Sequence, residues 1–264
     1  MTPQPSRREI FLSEMGVGPL WTRRDTTPVT SDLVSRAEED HHVAEALKPV
    51  DSASIQPANQ AGSAPSAEEV AEMDWEQLKS AVAGCIKCGL CKTRTRTVFG
   101  TGDEKAKWLF IGEGPGRNED LQGEPFIGPA GKLLDNMMLA MGLKRGENAY
   151  IANIVKCRPV GADGRDRPPA PEEAAACRPY LERQIALIQP TILVALGKTA
   201  GLSLVGGDPD TPVSQLRGKV HRYDGLPLIV TYHPAYLLRK LADKAKTWND
   251  LCLAMDTFAA NRNQ

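Results

Sequence analysis

The apolar positions of this chain fall into three regimes, and each predicts a different kind of segment. Near the start, REIFLSEMGVGPLWTRR groups Ile10, Leu12, Met15, Val17, Leu20 and Trp21 into one compact apolar cluster. Residues 50–67 then read VDSASIQPANQAGSAPSA, without a single aromatic side chain. Such a stretch cannot bury enough apolar area to offset its ordering entropy, so disorder is predicted there. Next, Ser66-x-x-Glu69 resembles a capping box and opens a predicted helix over about 66–82. Four short, continuously apolar runs follow, at Trp108–Gly112, 150–155, 191–196 and 228–231. Helical patterns separate them at 131–141, Pro171–Ile188 and 198–204, and a last helix is predicted over about 246–260. Strands that are apolar on both faces mark a parallel sheet covered by helices. The predicted fold is therefore α/β: a three-layer α/β/α sandwich around a central four-stranded parallel sheet, with ligands at the carboxyl ends of the strands. The predicted organisation is a docking peptide over 1–24, a disordered linker over 25–70 and one domain over 71–264. A cap packed back on the body is the competing reading of the first segment.

Composition agrees with a globular domain diluted by non-folding sequence: 41% of the 264 residues are hydrophobic, 25% charged, and 20 are prolines. No run approaches the ~18–20 apolar residues of a membrane span, and residues 1–8 lack the apolar core of a secretory signal. A cytoplasmic, monomeric protein without a membrane partner is expected. The net charge of −1 hides an asymmetry, because residues 1–75 carry six Lys and Arg against thirteen Asp and Glu. The remainder has 26 basic and 20 acidic residues, a balance of +6. A basic body with an acidic leader is compatible with a polyanionic partner such as nucleic acid.

The chemistry-bearing residues cluster just after the predicted strands. GEGPG at 112–116 leaves the first strand but does not complete a dinucleotide-binding fingerprint, since position 117 is Arg. GEPFIGPAGK at 123–132 presents Phe126 in a Gly/Pro-rich loop, either as a core plug or as a stacking platform for a flat ligand. Asn153 ends YIAN, where a buried amide is costly unless a partner such as a base edge satisfies it. TYHPAYLLR at 231–239 surrounds His233, and only His221 and His233 lie in the body, which argues against a multi-histidine metal hydrolase. Six cysteines in a reducing compartment are poor disulfide candidates. Cys85-x-x-Cys88, with Cys157 and Cys177 flanking a long loop, supplies four thiolates suited to an iron–sulfur cluster or to zinc. Spacing alone does not choose between them. Cys91 and Cys252 read as ordinary cysteines.

Taken in order, Cys85-x-x-Cys88-x-Leu90, Thr93-Arg94-Thr95, Val98-Phe99-Gly100, GEGPG, GEPFIGPAGKLLD, YIANIVKCRP and HPAYLLR resemble the family 4 uracil-DNA glycosylases, the iron–sulfur branch of that superfamily. The resemblance runs from about Cys85 to the last helix, roughly two-thirds of the chain. It implies removal of uracil from single- and double-stranded DNA in base excision repair, leaving an abasic site. It further implies a 4Fe-4S cluster on Cys85, Cys88, Cys157 and Cys177 with a structural task. By the same resemblance Gly112, Glu113, Phe126, Asn153 and His233 contact uracil, with Phe126 stacking on the base, Asn153 reading its edge and His233 donating to O2. Leu237 enters the emptied base stack and Arg239 meets a phosphate. Separately, residues 8–24 resemble the amino-terminal peptide of the psi subunit of the bacterial clamp loader, which implies a replication partner such as the chi subunit.

One departure bears on mechanism. The best-known branch of the superfamily carries an Asp at the place of Gly114, where it orients the attacking water, and a bulky residue at the place of Gly116 that excludes thymine. Both are missing here, as the former usually is in family 4. Glu113 or Glu119 is the expected water-positioning group, in a largely dissociative reaction. Three other readings stay open. A sister branch traps the abasic sugar through a histidine, but residues 158–172, RPVGADGRDRPPAPE, contain none. A non-catalytic uracil-DNA binding module would displace His233 or Asn153 from the pocket. A zinc-stabilised nucleotide-binding enzyme would lack an iron–sulfur absorption spectrum.

Overall fold

A computed structural model of the protein describes residues 64–261. The proposed docking peptide and all but the end of the predicted linker lie outside the described residues. The body opens at Ser66, earlier than the predicted boundary at 71, because α1 (Ala67–Glu72) is capped by a reciprocal Ser66–Glu69 box and buries Val70 in the core. The single helix predicted over 66–82 is two helices. Asp74 starts a second capping box with Gln77 and re-nucleates α2 (Trp75–Ala83) after an extended Met73.

The sheet has six strands in the order β1-β3-β2-β4-β6-β5. Its four inner strands, β2 (Trp108–Gly112), β3 (Ala149–Asn153), β4 (Ile192–Leu196) and β6 (Leu226–Thr231), are parallel, as expected. Two antiparallel edge strands, β1 (Thr101–Gly102) and β5 (Val220–Tyr223), extend it. Alternation along the inner strands assigns the two layers. Leu109, Ile111, Ala152, Leu193, Ala195, Leu228 and Val230 pack with α1, α2, α5 (Pro171–Ile188) and α6 (Lys198–Val205). Trp108, Phe110, Ile151, Val194 and Ile229 face the opposite way, onto α4 (Pro129–Ala140) and α9 (Lys244–Asn261). Fully burying each of these large side chains contributes roughly 1.5–3 kcal/mol, which explains why the runs are apolar throughout.

Register places the chemistry. Gly112 of β2 pairs with Asn153 of β3, and Leu196 of β4 pairs with Thr231 of β6. All four strands therefore end at one level, and the loops that follow them meet above the same edge of the sheet. Short helices continue those loops: α3 (Arg117–Gln122) after GEGPG, α7 (Val213–Leu216) before β5, and α8 (Pro234–Leu237) after β6.

Candidate active site and cysteine cavity

Above the strand ends lies an open cleft lined by Glu113, Glu119, Phe126, Asn153, His233 and Arg239. Lys198 from α6 and Asp166, Arg167 and Pro168 from the 157–177 loop complete its wall. The residues assigned to uracil and DNA from the sequence thus converge, apart from Gly112 and Leu237. Gly112 does not touch the cleft but makes it possible. A Cβ there would stand 2.4 Å from Asn153 Oδ1 and 2.6 Å from the Phe126 ring, so no side chain fits under these two groups.

Asn153 is 2% exposed, and its Oδ1 accepts no hydrogen bond within the protein. An orphaned buried amide oxygen costs about 1–3 kcal/mol, so the position is poised for a ligand that donates to it. Phe126 has two sets of neighbours. It belongs to the core layer around Phe110 and Leu134, and it also lines the cleft, with its ring centroid 5.6 Å from that of His233. Its φ of 54° is left-handed, a strained state for an aromatic residue. Arg145 holds that turn, donating to the carbonyls of Pro125 at 3.1 Å and Phe126 at 2.8 Å while pairing with Asp135 at 2.8 Å. No sequence signal marks Arg145, because it acts from the loop after α4.

His233 ends the β6 segment as the cap of α8, and its Nδ1 accepts the Ala235 N–H at 3.2 Å. A ring nitrogen that accepts carries no proton, so the neutral ring bears its hydrogen on Nε2 and can donate it. Burial, aided by the positive charge of Arg239, pushes the imidazole down to about 4. The strand beneath is fastened by Asp250, which accepts from Thr231 Oγ1 at 2.7 Å and from Arg217 at 2.9 Å through both carboxylate oxygens.

The two candidate carboxylates differ in their commitments. Glu119 Oε1 accepts the N–H groups of Ile127 at 3.2 Å and Gly128 at 3.3 Å, securing the entry to α4. Glu113 accepts a hydrogen bond from the Thr199 hydroxyl on α6. Glu113 is accordingly the better placed to engage a water. Leu237 requires a correction. The single turn of α8 directs it inward, where it is fully buried among Leu133, Met137, Trp248 and Leu251. The next residue, Leu238, is 43% exposed beside Arg239.

A second, small cavity is lined by Cys85, Cys88, Cys157 and Cys177, and also by Cys91. None of these thiols forms a disulfide. Among the described residues no three His, Cys, Asp or Glu side chains are placed to hold a single metal ion. Their surroundings nonetheless suit an anionic thiolate cluster. Arg94 donates to Cys157 Sγ at 3.2 Å, and the backbone N–H groups of Lys156 and Lys87 donate to Cys177 and Cys85 sulfur at 3.3 and 3.5 Å. Burial pushes the Cys177 thiol up to about 12, so only a cationic group could hold it as thiolate. Lys156 is equally telling. Its ammonium is buried against the Asn153 carbonyl and Gln184 Oε1, both neutral, and an anionic cluster beside it would supply the missing countercharge.

Comparison with known proteins agrees with this arrangement. The profile of the Uracil DNA glycosylase superfamily matches residues 99–252. A type-4 uracil-DNA glycosylase of Archaeoglobus fulgidus is 44% identical over 163 residues, covering 60% of this chain and 79% of that protein. One from Thermotoga maritima is 40% identical over 180 residues, covering 68% of this chain and 88% of its own. One from Sulfurisphaera tokodaii is 43% identical over 170 residues, covering 62% and 75%. At these identities and over these lengths, the chain belongs to the uracil-DNA glycosylase superfamily, in its type-4 branch.

Proposed function

We propose that this chain hydrolyses the bond between uracil N1 and deoxyribose C1′ in DNA, releasing uracil and leaving an abasic site. The observation that carries the reading is Asn153: a buried amide with an unsatisfied oxygen, in one cleft with an aromatic ring and a neutral histidine that lie 5.6 Å apart. Uracil within a duplex is out of reach of such a cleft, so the nucleotide rotates out of the stack at a cost of a few kcal/mol. Phe126 then stacks on the base. The Asn153 amide accepts from uracil N3–H and donates to O4, a pattern that cytosine inverts. As the C1′–N1 bond breaks, its electron pair passes to the base, and the developing charge on O2 is met by the His233 Nε2–H. Glu113 orients a water, which bonds to C1′ and gives up its proton to the carboxylate. A binding module without catalysis is disfavoured by the presence of Asn153 and His233 in the same cleft.

Cys85, Cys88, Cys157 and Cys177 would hold a 4Fe-4S cluster, which when bound would cross-link the chain and supply no chemistry to the reaction. Because Pro159, Asp166, Arg167 and Pro168 line the cleft between Cys157 and Cys177, anchoring both ends of this loop sets one wall of the substrate site. Arg239 at the cleft mouth is the phosphate contact.

The direct test is incubation of purified protein with a uracil-containing oligonucleotide, followed by alkaline cleavage, without added metal or nucleotide. Strand scission at the uracil position is expected for single- and double-stranded substrate, and none for a thymine control. Asn153→Asp replaces a donor by an acceptor, so its preference for uracil over cytosine should fall by on the order of tenfold or more. An unchanged preference would remove Asn153 from recognition. Leu238, rather than the buried Leu237, is the apolar wedge for the vacated stack. Leu238→Ala should slow excision from duplex DNA several-fold, about 1 kcal/mol of lost apolar contact, and leave single-stranded substrate unaffected, since no stack needs refilling there. Equal losses on both substrates would exclude the wedge.

A further inference from the structure

We propose that Thr199 is a positioning residue for the reaction, acting through Glu113. This rests on the reading above that Glu113 orients the attacking water. Glu113 follows the last residue of β2, and its long side chain has free rotation about several bonds, so an isolated carboxylate at that point would sample many orientations. The Thr199 hydroxyl removes that freedom by donating to Glu113 Oε2. Among the described residues no other side chain donates to this carboxylate. Its second oxygen is left to accept from a water in the cleft.

The hydroxyl stands on a rigid support. Thr199 is the second residue of α6, whose preceding Gly197 donates its N–H to the Thr231 carbonyl at 2.8 Å, tying the helix to the His233 segment. One turn later Gly201 lies so close to β6 that a Cβ would come within 2.8 Å of Val230 Cγ1. The helix therefore cannot shift without moving the sheet. Gly197, Lys198 and Glu113 line the cleft, whereas Thr199 does not. A hydroxyl suits this task better than a lysine or arginine would. It orients the carboxylate without placing a fixed positive charge against it. The contrast with Glu119 is informative, since that carboxylate is engaged by two backbone N–H groups and serves the loop instead.

The experiment compares Thr199→Val, which keeps the volume but deletes the hydroxyl, with Thr199→Ser, which keeps the hydroxyl. Single-turnover excision at saturating enzyme should fall about tenfold in Thr199→Val, the effect of one charge-assisted hydrogen bond. Affinity for a duplex carrying uncleavable 2′-fluoro-2′-deoxyuridine should stay as in the wild type, and Thr199→Ser should recover most of the rate. In a Glu113→Gln background, Thr199→Val should cause no further loss. Thr199→Val at wild-type rate alongside a slow Glu113→Gln would overturn the role of Thr199 and leave that of Glu113 standing. A Glu113→Gln enzyme at full rate would overturn both. If Thr199→Val melts below the wild type, Thr199→Ala provides the same hydroxyl deletion at lower packing stress, and a rate loss not rescued by serine counts against the proposal.

Discussion

Single-turnover excision by His233→Ala should be slower than wild type by on the order of 10²–10³, the usual cost of deleting one donor to a developing oxyanion. The expectation rests on two features of the ring. The Ala235 N–H fixes its tautomer by occupying Nδ1, and burial holds it neutral, so Nε2–H is available across the working pH range. A neutral donor is well matched to this task, because uracil leaves as a weakly basic anion that needs a hydrogen bond more than a proton. The sign of the pH dependence follows. The imidazole is lowered to about 4, so protonation begins only as pH falls toward that value, and excision should be insensitive to this group from about pH 8 down to about pH 5. Below that, the incoming proton occupies Nδ1, breaks the Ala235 contact and slows the reaction. A wild-type profile with an inflection near pH 6.5, absent from His233→Ala, would show instead that the charged ring is formed in ordinary conditions. His233→Ala with an unchanged single-turnover rate would take the residue out of the mechanism.

Much of this site was legible in the chain because its parts are local. The four inner strands are short apolar runs between turn residues, a pattern characteristic of a sheet buried on both faces, and Pro171–Ile188 has the predicted limits. The run at 150–155 overshoots β3 for an instructive reason. Ile154 and Val155 are apolar and buried, yet their N–H groups go to the Gly112 and Glu113 carbonyls, beyond the last paired residues of the strands. The edge strands leave no apolar run in the sequence, because β1 has only two residues and β5, VHRY, is half exposed. The order of Leu237 and Leu238 could not be read from a pair of identical residues. Which one is exposed depends on the phase of a single helical turn, set by where Pro234 starts it. Arg145, Thr199 and the Arg217–Asp250–Thr231 network act across long sequence separations, and no spacing rule joins them to the residues they hold. Cys91 reads in the sequence as an ordinary cysteine, whereas in the folded chain it lines the same cavity.

That fifth thiol sharpens the remaining large effect, the loss of fold on removing a cluster ligand. Cys157 joins the end of the β3 segment to the loop that walls the cleft, receives the Arg94 guanidinium, and is 6% exposed. With Cys157→Ser, a hard alkoxide precursor replaces a soft thiolate, and Arg94 together with the buried Lys156 loses an anionic neighbour. Structural metal groups contribute folding free energy of about 10 kcal/mol or more when their ligands are otherwise unsatisfied, comparable with the whole stability of a domain. The anaerobically purified wild type should be brown with about four irons per chain. Cys157→Ser and Cys177→Ser should be colourless, melt far below it or fail to accumulate, and lose excision through collapse of the 157–177 wall. Cys91→Ser should keep both iron and colour, because Cys91 sits on the short 3₁₀ turn Gly89–Lys92 and none of the hydrogen bonds to sulfur described for Cys85, Cys157 and Cys177 reaches it. Iron lost from Cys91→Ser but retained in Cys85→Ser would exchange those two ligands. A colourless wild type carrying one zinc would replace the cluster by a single-ion site, which would require three or more of these thiols to move together around one centre.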